Sequence, residues 1–235
     1  MTADAVLARL QAALGHRFSD PALLATALTH SSAAAEAGLG QVGTYERLEF
    51  LGDRVVGLIV AEMLFATFPR EAESELARRL AALVRNDTFV SVARDIDLGE
   101  ALRIGAGEQR LGGRRNATIL GDTAEAVIGA LYLDGGLEAA RRFVETHWRP
   151  RIAEMVVPPR DAKSTLQEWA QGRGLPTPAY VVADQSGPHH APRFIVEAVI
   201  SGVQPARGEG RSKREAEQQA AAEFLRREGI WKVAP

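Results

Sequence analysis

Two adjacent prolines, Pro158-Pro159, divide this 235-residue chain into stretches whose apolar residues recur with different periods. Proline fixes φ and carries no amide hydrogen, so a helix-like stretch running into Val156-Val157 has to end there. Before that point, Ala- and Leu-rich segments at about 3–14, 21–32, 45–67, 73–84, 86–96, 116–133 and 136–155 show helical spacing, separated by short Gly, Pro or Asp breaks. After it, a helical segment at about 162–173 is followed by alternating segments near 178–184, 193–201 and 203–208, then by a helical segment at 212–228. A helix buries every third or fourth residue and a strand every second, so neither pattern can stand in for the other. The expected fold is mainly α: an all-helical domain over 1–157 and a small α+β domain over 160–229, in the order α-β-β-β-α.

The longest apolar run, Val55 to Ala61, is bracketed by Arg54 and Glu62 and is far short of the roughly 20 residues a membrane span needs. The N-terminus, with Asp4 and Arg9 among short apolar runs, lacks the pattern of a signal peptide. There is no cysteine, which excludes disulfides and thiolate metal sites and fits a reducing compartment. A cytoplasmic protein with no membrane association is expected. The net charge of -2 alone argues weakly against nucleic acid. It divides unevenly, however: residues 1–157 hold 17 Arg, no Lys and 21 acids, a net of -4, while residues 158–235 hold 11 Lys+Arg and 9 acids, a net of +2.

The densest chemical signal is Tyr45-Glu46-Arg47-Leu48-Glu49-Phe50-Leu51-Gly52-Asp53. On a helix, Glu46, Glu49 and Asp53 fall within about 60° of one another, and the same face continues as Val56, Gly57, Val60 and Leu64. Asp122 and Glu125 form a second pair, whose face continues as Ile128, Gly129 and Tyr132. Both sets of acids point where core residues point, and clustered carboxylates partly removed from water take up protons or bind cations. With oxygen ligands only, the suitable cation is a hard one such as Mg²⁺ or Mn²⁺. None of the five histidines lies in either segment, which disfavours a zinc or His/Asp phosphohydrolase. On spacing alone, a two-cation phosphodiester-cleaving site and a purely structural acidic cluster stay equally open.

In the smaller part, Gln167 and Gln171 share one face of a helix, where amides suit 2'-hydroxyls and minor-groove base edges, although a plain solvated surface explains the spacing as well. Gly187-Pro188-His189-His190 reads as a turn between strands that presents two imidazoles. Ser212 and Glu215 form a capping box that gathers Arg211, Lys213 and Arg214 at a helix N-terminus. Cations there oppose the helix dipole, so an incoming phosphate explains them better than a solvated cap does.

Glu46-Arg47-Leu48-Glu49-Phe50-Leu51-Gly52-Asp53 resembles the signature of the ribonuclease III family, with Leu28-Thr29-His30-Ser31-Ser32 upstream and Ile119 to Ala130 downstream matching its other landmarks in order. Lys163 to Leu225 resembles a double-stranded-RNA-binding domain. The first resemblance implies Glu49, Asp122 and Glu125 as metal ligands, Asp53 and Glu125 as the residues indispensable for hydrolysis, and Glu46 and Glu73 as additional acids near the scissile strand and subunit interface. The second implies Gln167, Glu168 and Gln171 in one minor groove, His189 or His190 in the next, and Lys213 and Arg214 on the phosphates between. Two departures are visible: Tyr45 stands where many members have Asn, and Gly121 where Ala commonly precedes the aspartate. Gly121 is expected to loosen its helix by about 0.5–1 kcal/mol relative to Ala.

The resemblances together imply a Mg²⁺-dependent endoribonuclease, with Mn²⁺ able to substitute, that cuts double-stranded RNA, leaves 5'-phosphate and 3'-hydroxyl ends, and processes ribosomal precursors and other structured transcripts. A duplex is locally two-fold symmetric and one chain carries one set of carboxylates, so a homodimer is expected. The rival readings are a non-catalytic duplex-RNA-binding protein, in which the acids are structural, and a metal-dependent phosphohydrolase acting on nucleotides.

Overall fold

The structure, a computed structural model, describes residues 2–38, 40, 43–155, 161–188 and 192–231. The chain divides into two units, Met1–Pro159 and Arg160–Pro235.

In the first unit the helix boundaries follow local chemistry. Helix α1 (Ala3–Leu14) starts where Thr2 Oγ1 accepts from Ala5 N and stops at Gly15, whose φ of 61° suits glycine. Helix α2 (Pro21–Ala27) has Asp20 as its cap and proline in its first turn. Then come α3 (Ser31–Glu36), α4 (Glu46–Thr67), α5 (Glu73–Leu83), α6 (Asn86–Asp95), α7 (Leu98–Ala101), α8 (Ala106–Arg110), a 3₁₀ turn at Gly113–Arg115, and α9 (Ala117–Glu154). The sequence leads one to expect a single helix over 21–32, but the structure breaks it between α2 and α3. There Arg103 N donates to Leu28 O at 2.8 Å and His30 N donates to Arg103 O at 2.9 Å, so a distant backbone takes the place of the helical ladder. Helices α7, α8 and the 3₁₀ turn are too short to leave a periodic signal. Helix α9 joins the two segments expected at 116–133 and 136–155 across a kink at Gly136, whose φ is 70°. Asp134 accepts from Ser19 N at 2.9 Å, Asp20 N at 2.8 Å and pairs with His16 Nε2 at 2.7 Å, pinning α9 at the kink.

The core is built around α4 and α9. Val56, Ile59, Val60 and Leu64 of α4, and Val127, Ile128 and Leu131 of α9, are fully or almost fully buried. The two helices touch backbone to backbone: a Cβ on Gly52 would lie 1.8 Å from Glu125 O, and one on Gly129 would lie 2.3 Å from Leu48 O. Only glycine permits that approach. No helix among the described residues is long and apolar enough to cross a membrane.

The second unit has α10 (Ala162–Gly172), β1 (Ala179–Ser186), β2 (Arg193–Ile200), β3 (Val203–Gly210) and α11 (Lys213–Arg227). Its sheet is antiparallel in the order β1-β2-β3, with Tyr180 opposite Ala198 and Ala198 opposite Ala206. Ala198, Ile200 and Ala206 face a core shared with Leu166 and Ala170 of α10 and Ala220, Phe224 and Leu225 of α11. The α-β-β-β-α order, the helical first unit and the three-stranded sheet agree with the fold class expected from the sequence.

Candidate functional site

The Gly52–Gly129 contact decides what lies beside what. Glu49 and Asp53 flank Gly52 on α4, and Asp122 and Glu125 precede Gly129 by about two turns and one turn on α9, so the close approach of the glycines brings the two acidic stripes together. All four side chains are half-buried, whereas Glu46 is exposed.

Their charges act on one another. Glu125 is pushed up to about 8, chiefly by burial and then by the charges of Asp53, Glu49 and Asp122, with Arg54 pulling weakly the other way. Glu49 is raised by burial and by Asp122, Glu46 and Asp53. Burial also raises Asp122, against the opposing pull of a hydrogen bond from the Tyr45 phenol and the charge of His30. Asp53 pairs with Arg54 through Oδ2 and Nη1. Glu73, the first residue of α5, is exposed and is not among the charges acting on Glu49, Asp122 or Glu125.

Among the described residues, no three His, Cys, Asp or Glu side chains converge into a ready metal cage. Mg²⁺ does not require one, since it keeps several waters and binds through one or two carboxylates. An oxygen-only, half-buried, mutually repelling donor set is the chemistry such an ion fits, and the ion's charge would relieve the repulsion that raises Glu125.

A second surface of the same unit is apolar. Phe50 is 64% exposed, and Leu58 and Phe65 are also exposed within about 80° of it on α4. Phe50, Leu51, Leu48, Leu23 and Leu133 line a cleft of about 760 Å³ whose rim includes Glu46 and Arg47.

In the second unit, Gln167, Glu168 and Gln171 are exposed on α10 while Leu166 and Ala170 are buried. Ser212 Oγ accepts from Glu215 N at 3.2 Å, as the capping box requires, but the Glu215 carboxylate turns back to Arg211 N at 2.8 Å, one residue before the cap. Lys213 and Arg214 are exposed in the first turn of α11, and neither has an ion-pair partner among the described residues. Arg193 and Arg207 on the sheet, by contrast, are paired with Glu209 and Glu197. His189 and His190 lie outside the described residues.

Sequence analysis passes over the groups that register α10 against α11. Lys163 Nζ meets Glu217 at 2.5 Å, Gln218 Nε2 donates to Asp161 at 2.7 Å, and Ala162 N donates to Gln218 Oε1 at 3.0 Å. As a result Gln167 and Arg214, from different helices, line one polar cavity of about 300 Å³. The helix faces gave no sign of this, because each partner reads as an ordinary surface residue on its own helix. Tyr45 is missed for a different reason. It stands beside the signature, but its contact with Asp122 crosses between helices distant in sequence.

Residues 20–152 match the family described as Ribonuclease-III-like, and residues 162–228 match the double-stranded RNA binding motif. The chain is 49% identical over 226 residues to "Ribonuclease 3" of Nitrobacter winogradskyi, covering 96% of this chain and 85% of that protein. It is 51% identical over 223 residues to "Ribonuclease 3" of Azorhizobium caulinodans, covering 95% of this chain and 94% of that one. Among solved structures, the nuclease domain of ribonuclease III from Campylobacter jejuni, described as flexible in a region involved in dimer formation, is similar at 37% identity. The TM-score is 0.55, with 60% of this chain and 97% of that chain covered.

Proposed function

The chain belongs to the ribonuclease III family, and from that premise we propose that it is an endoribonuclease that hydrolyses phosphodiester bonds of double-stranded RNA with a divalent cation, Mg²⁺ or in its place Mn²⁺. The observation that carries the cation is the facing carboxylate set of α4 and α9, in which burial and like charge push Glu125 up to about 8. Glu49, Asp122 and Glu125 hold the ion. Bound there, it supplies an activated water and countercharge for the phosphate.

The chain's own groups do the rest. Without the cation Glu125 keeps its carboxyl proton at neutral pH, and ion binding requires that proton to leave. Asp53, one turn after Glu49 and half-buried, is placed to orient water at the scissile phosphate. Glu46 and Glu73 are the additional acids, exposed where the substrate strand or a second subunit reaches them. Gln167, Glu168 and Gln171 read a minor groove, His189 or His190 the next, and Lys213 and Arg214 take the phosphates between. The lack of ion-pair partners for these two cations supports that reading, because nothing within the described chain competes for them.

The products are 5'-phosphate and 3'-hydroxyl ends, and the substrates are ribosomal precursors and other structured transcripts in the cytoplasm. Cutting both strands takes two carboxylate sets, and the exposed Phe50 beside an apolar cleft supports a two-fold homodimer built on α4. The catalytic domain spans 1–157 and the RNA-binding domain 160–229.

Glu125→Gln is the decisive variant. It is expected to shift duplex RNA on a gel as the wild type does while losing cleavage in Mg²⁺ by more than about 100-fold, the loss of a term worth several kcal/mol. Full cleavage by Glu125→Gln would sink the site. A wild-type protein that shifts the duplex with or without Mg²⁺ and never cuts it would establish the non-catalytic reading instead.

A further inference from the structure

Tyr45 is a buried titratable group that the chemistry above leaves idle. It immediately precedes α4 and is 5% exposed. Its amide donates to Thr29 O at 3.0 Å, and its ring centroid lies 5.7 Å from that of His30. Its phenol donates to the Asp122 carboxylate. Burial raises the phenol well above its ordinary value, so the donor proton is retained throughout the working pH range.

The residues that hold Tyr45 are fixed in turn. Arg103 N donates to Leu28 O and His30 N to Arg103 O, on either side of Thr29. His30 Nδ1 accepts from Ser32 N at 3.1 Å, and Ser32 Oγ accepts from Gly105 N at 2.9 Å. The segment Leu28–Ser32 contributes no carboxylate, yet it ends in a single O–H aimed at one. A phenylalanine would fill the same space, so packing explains the ring and leaves the hydroxyl unexplained. One phenolic proton occupies one of the several acceptor sites of a carboxylate and leaves the others open.

We propose that Tyr45 is a positioning residue for the divalent-cation site, its hydroxyl holding the Asp122 carboxylate in place, and that the Leu28–Ser32 segment is the frame that holds Tyr45. This role rests on Asp122 being a cation ligand. It explains why the α2–α3 helix is broken: the break places Thr29 O and the His30 ring against Tyr45.

Outer partners of this kind typically change metal affinity or activity by about 10–100-fold when removed. The test compares full-length wild type, Tyr45→Phe and Asp122→Asn. Mn²⁺ affinity of the RNA-free protein is read by calorimetry, and kcat and KM on a duplex are read at limiting and saturating Mg²⁺. Tyr45→Phe is expected to bind Mn²⁺ about tenfold more weakly and to lose kcat to a similar extent at limiting Mg²⁺. Its KM for duplex and its melting temperature stay the same, and saturating Mg²⁺ recovers most of the rate. Asp122→Asn loses Mn²⁺ binding more severely. If Asp122→Asn loses Mn²⁺ binding and Tyr45→Phe does not, the positioning role is wrong and the cation site stands. If both bind Mn²⁺ as the wild type does, the cation site itself is wrong and the role falls with it.

Discussion

Glu125 concentrates what burial and like charge do to a single side chain. Its carboxyl moves from an ordinary 4.5 to about 8 in the folded, cation-free chain, and Glu49 and Asp122 move in the same direction. A carboxyl raised on folding keeps its proton after the unfolded chain has lost it, so the native state binds more protons between those two values and stability falls as pH rises through that window. Cation-free protein is therefore expected to melt at a lower temperature at pH 8 than at pH 5.5. Glu125→Gln should flatten that slope, and Mg²⁺ should restore the wild-type melting temperature most at the higher pH, where the ligands are ionised. Identical pH slopes for wild type and Glu125→Gln in calorimetry would contradict this account. The acids themselves were legible in the sequence, because Glu46, Glu49, Asp53, Asp122 and Glu125 occupy stripes that continue as core. The Tyr45 hydroxyl on Asp122 was not legible, since it joins two helices through a contact that no local spacing encodes.

Pairs of helices set the site through two glycines. A methyl on Gly52 would meet the Glu125 carbonyl, and one on Gly129 the Leu48 carbonyl, in both cases rigid backbone. Gly52→Ala is expected to cost about 3 kcal/mol in urea denaturation, at the upper end of overpacking, and to separate the acidic stripes. Gly57→Ala, with nothing within 4 Å of the added methyl, is the matched control and should be neutral or slightly stabilising through helix propensity. Equal midpoints for the two variants would show that the helices do not depend on the contact. Gly121 is a different case. The expectation that it loosens α9 relative to alanine overlooks Asn86, whose Oδ1 would lie 1.7 Å from a Cβ there. Asn86 is exposed and can swing away, so any propensity gain from alanine is offset by displacing that amide. The long periodic helices were legible from the sequence, and the short α7 and α8 were not, because four or five residues carry less than two turns of pattern.

Across the whole molecule, the opposed charges of the two parts correspond to two folded units with different tasks, one collecting carboxylates and one presenting unpaired cations. The exposed Phe50 is large for a surface residue, and Leu58 and Phe65 extend its face along α4. Phe50→Glu is expected to weaken self-association by about 30-fold or more, a typical effect for a buried aromatic anchor. Sedimentation velocity at micromolar protein measures it, with duplex cleavage falling in parallel. A wild type that sediments as a monomer at those concentrations would rule out the homodimer. By itself the sequence determined the division at Pro158-Pro159, the helical and alternating halves, and which face of each acidic helix carries charge, because periodicity and proline geometry are local. Only the tertiary structure decided that Gly52 meets Gly129, that Asp122 accepts from Tyr45, and that Gln167 shares a cavity with Arg214. Those contacts depend on how closely elements far apart in sequence pack, and close packing is a property of facing surfaces that neither surface carries alone.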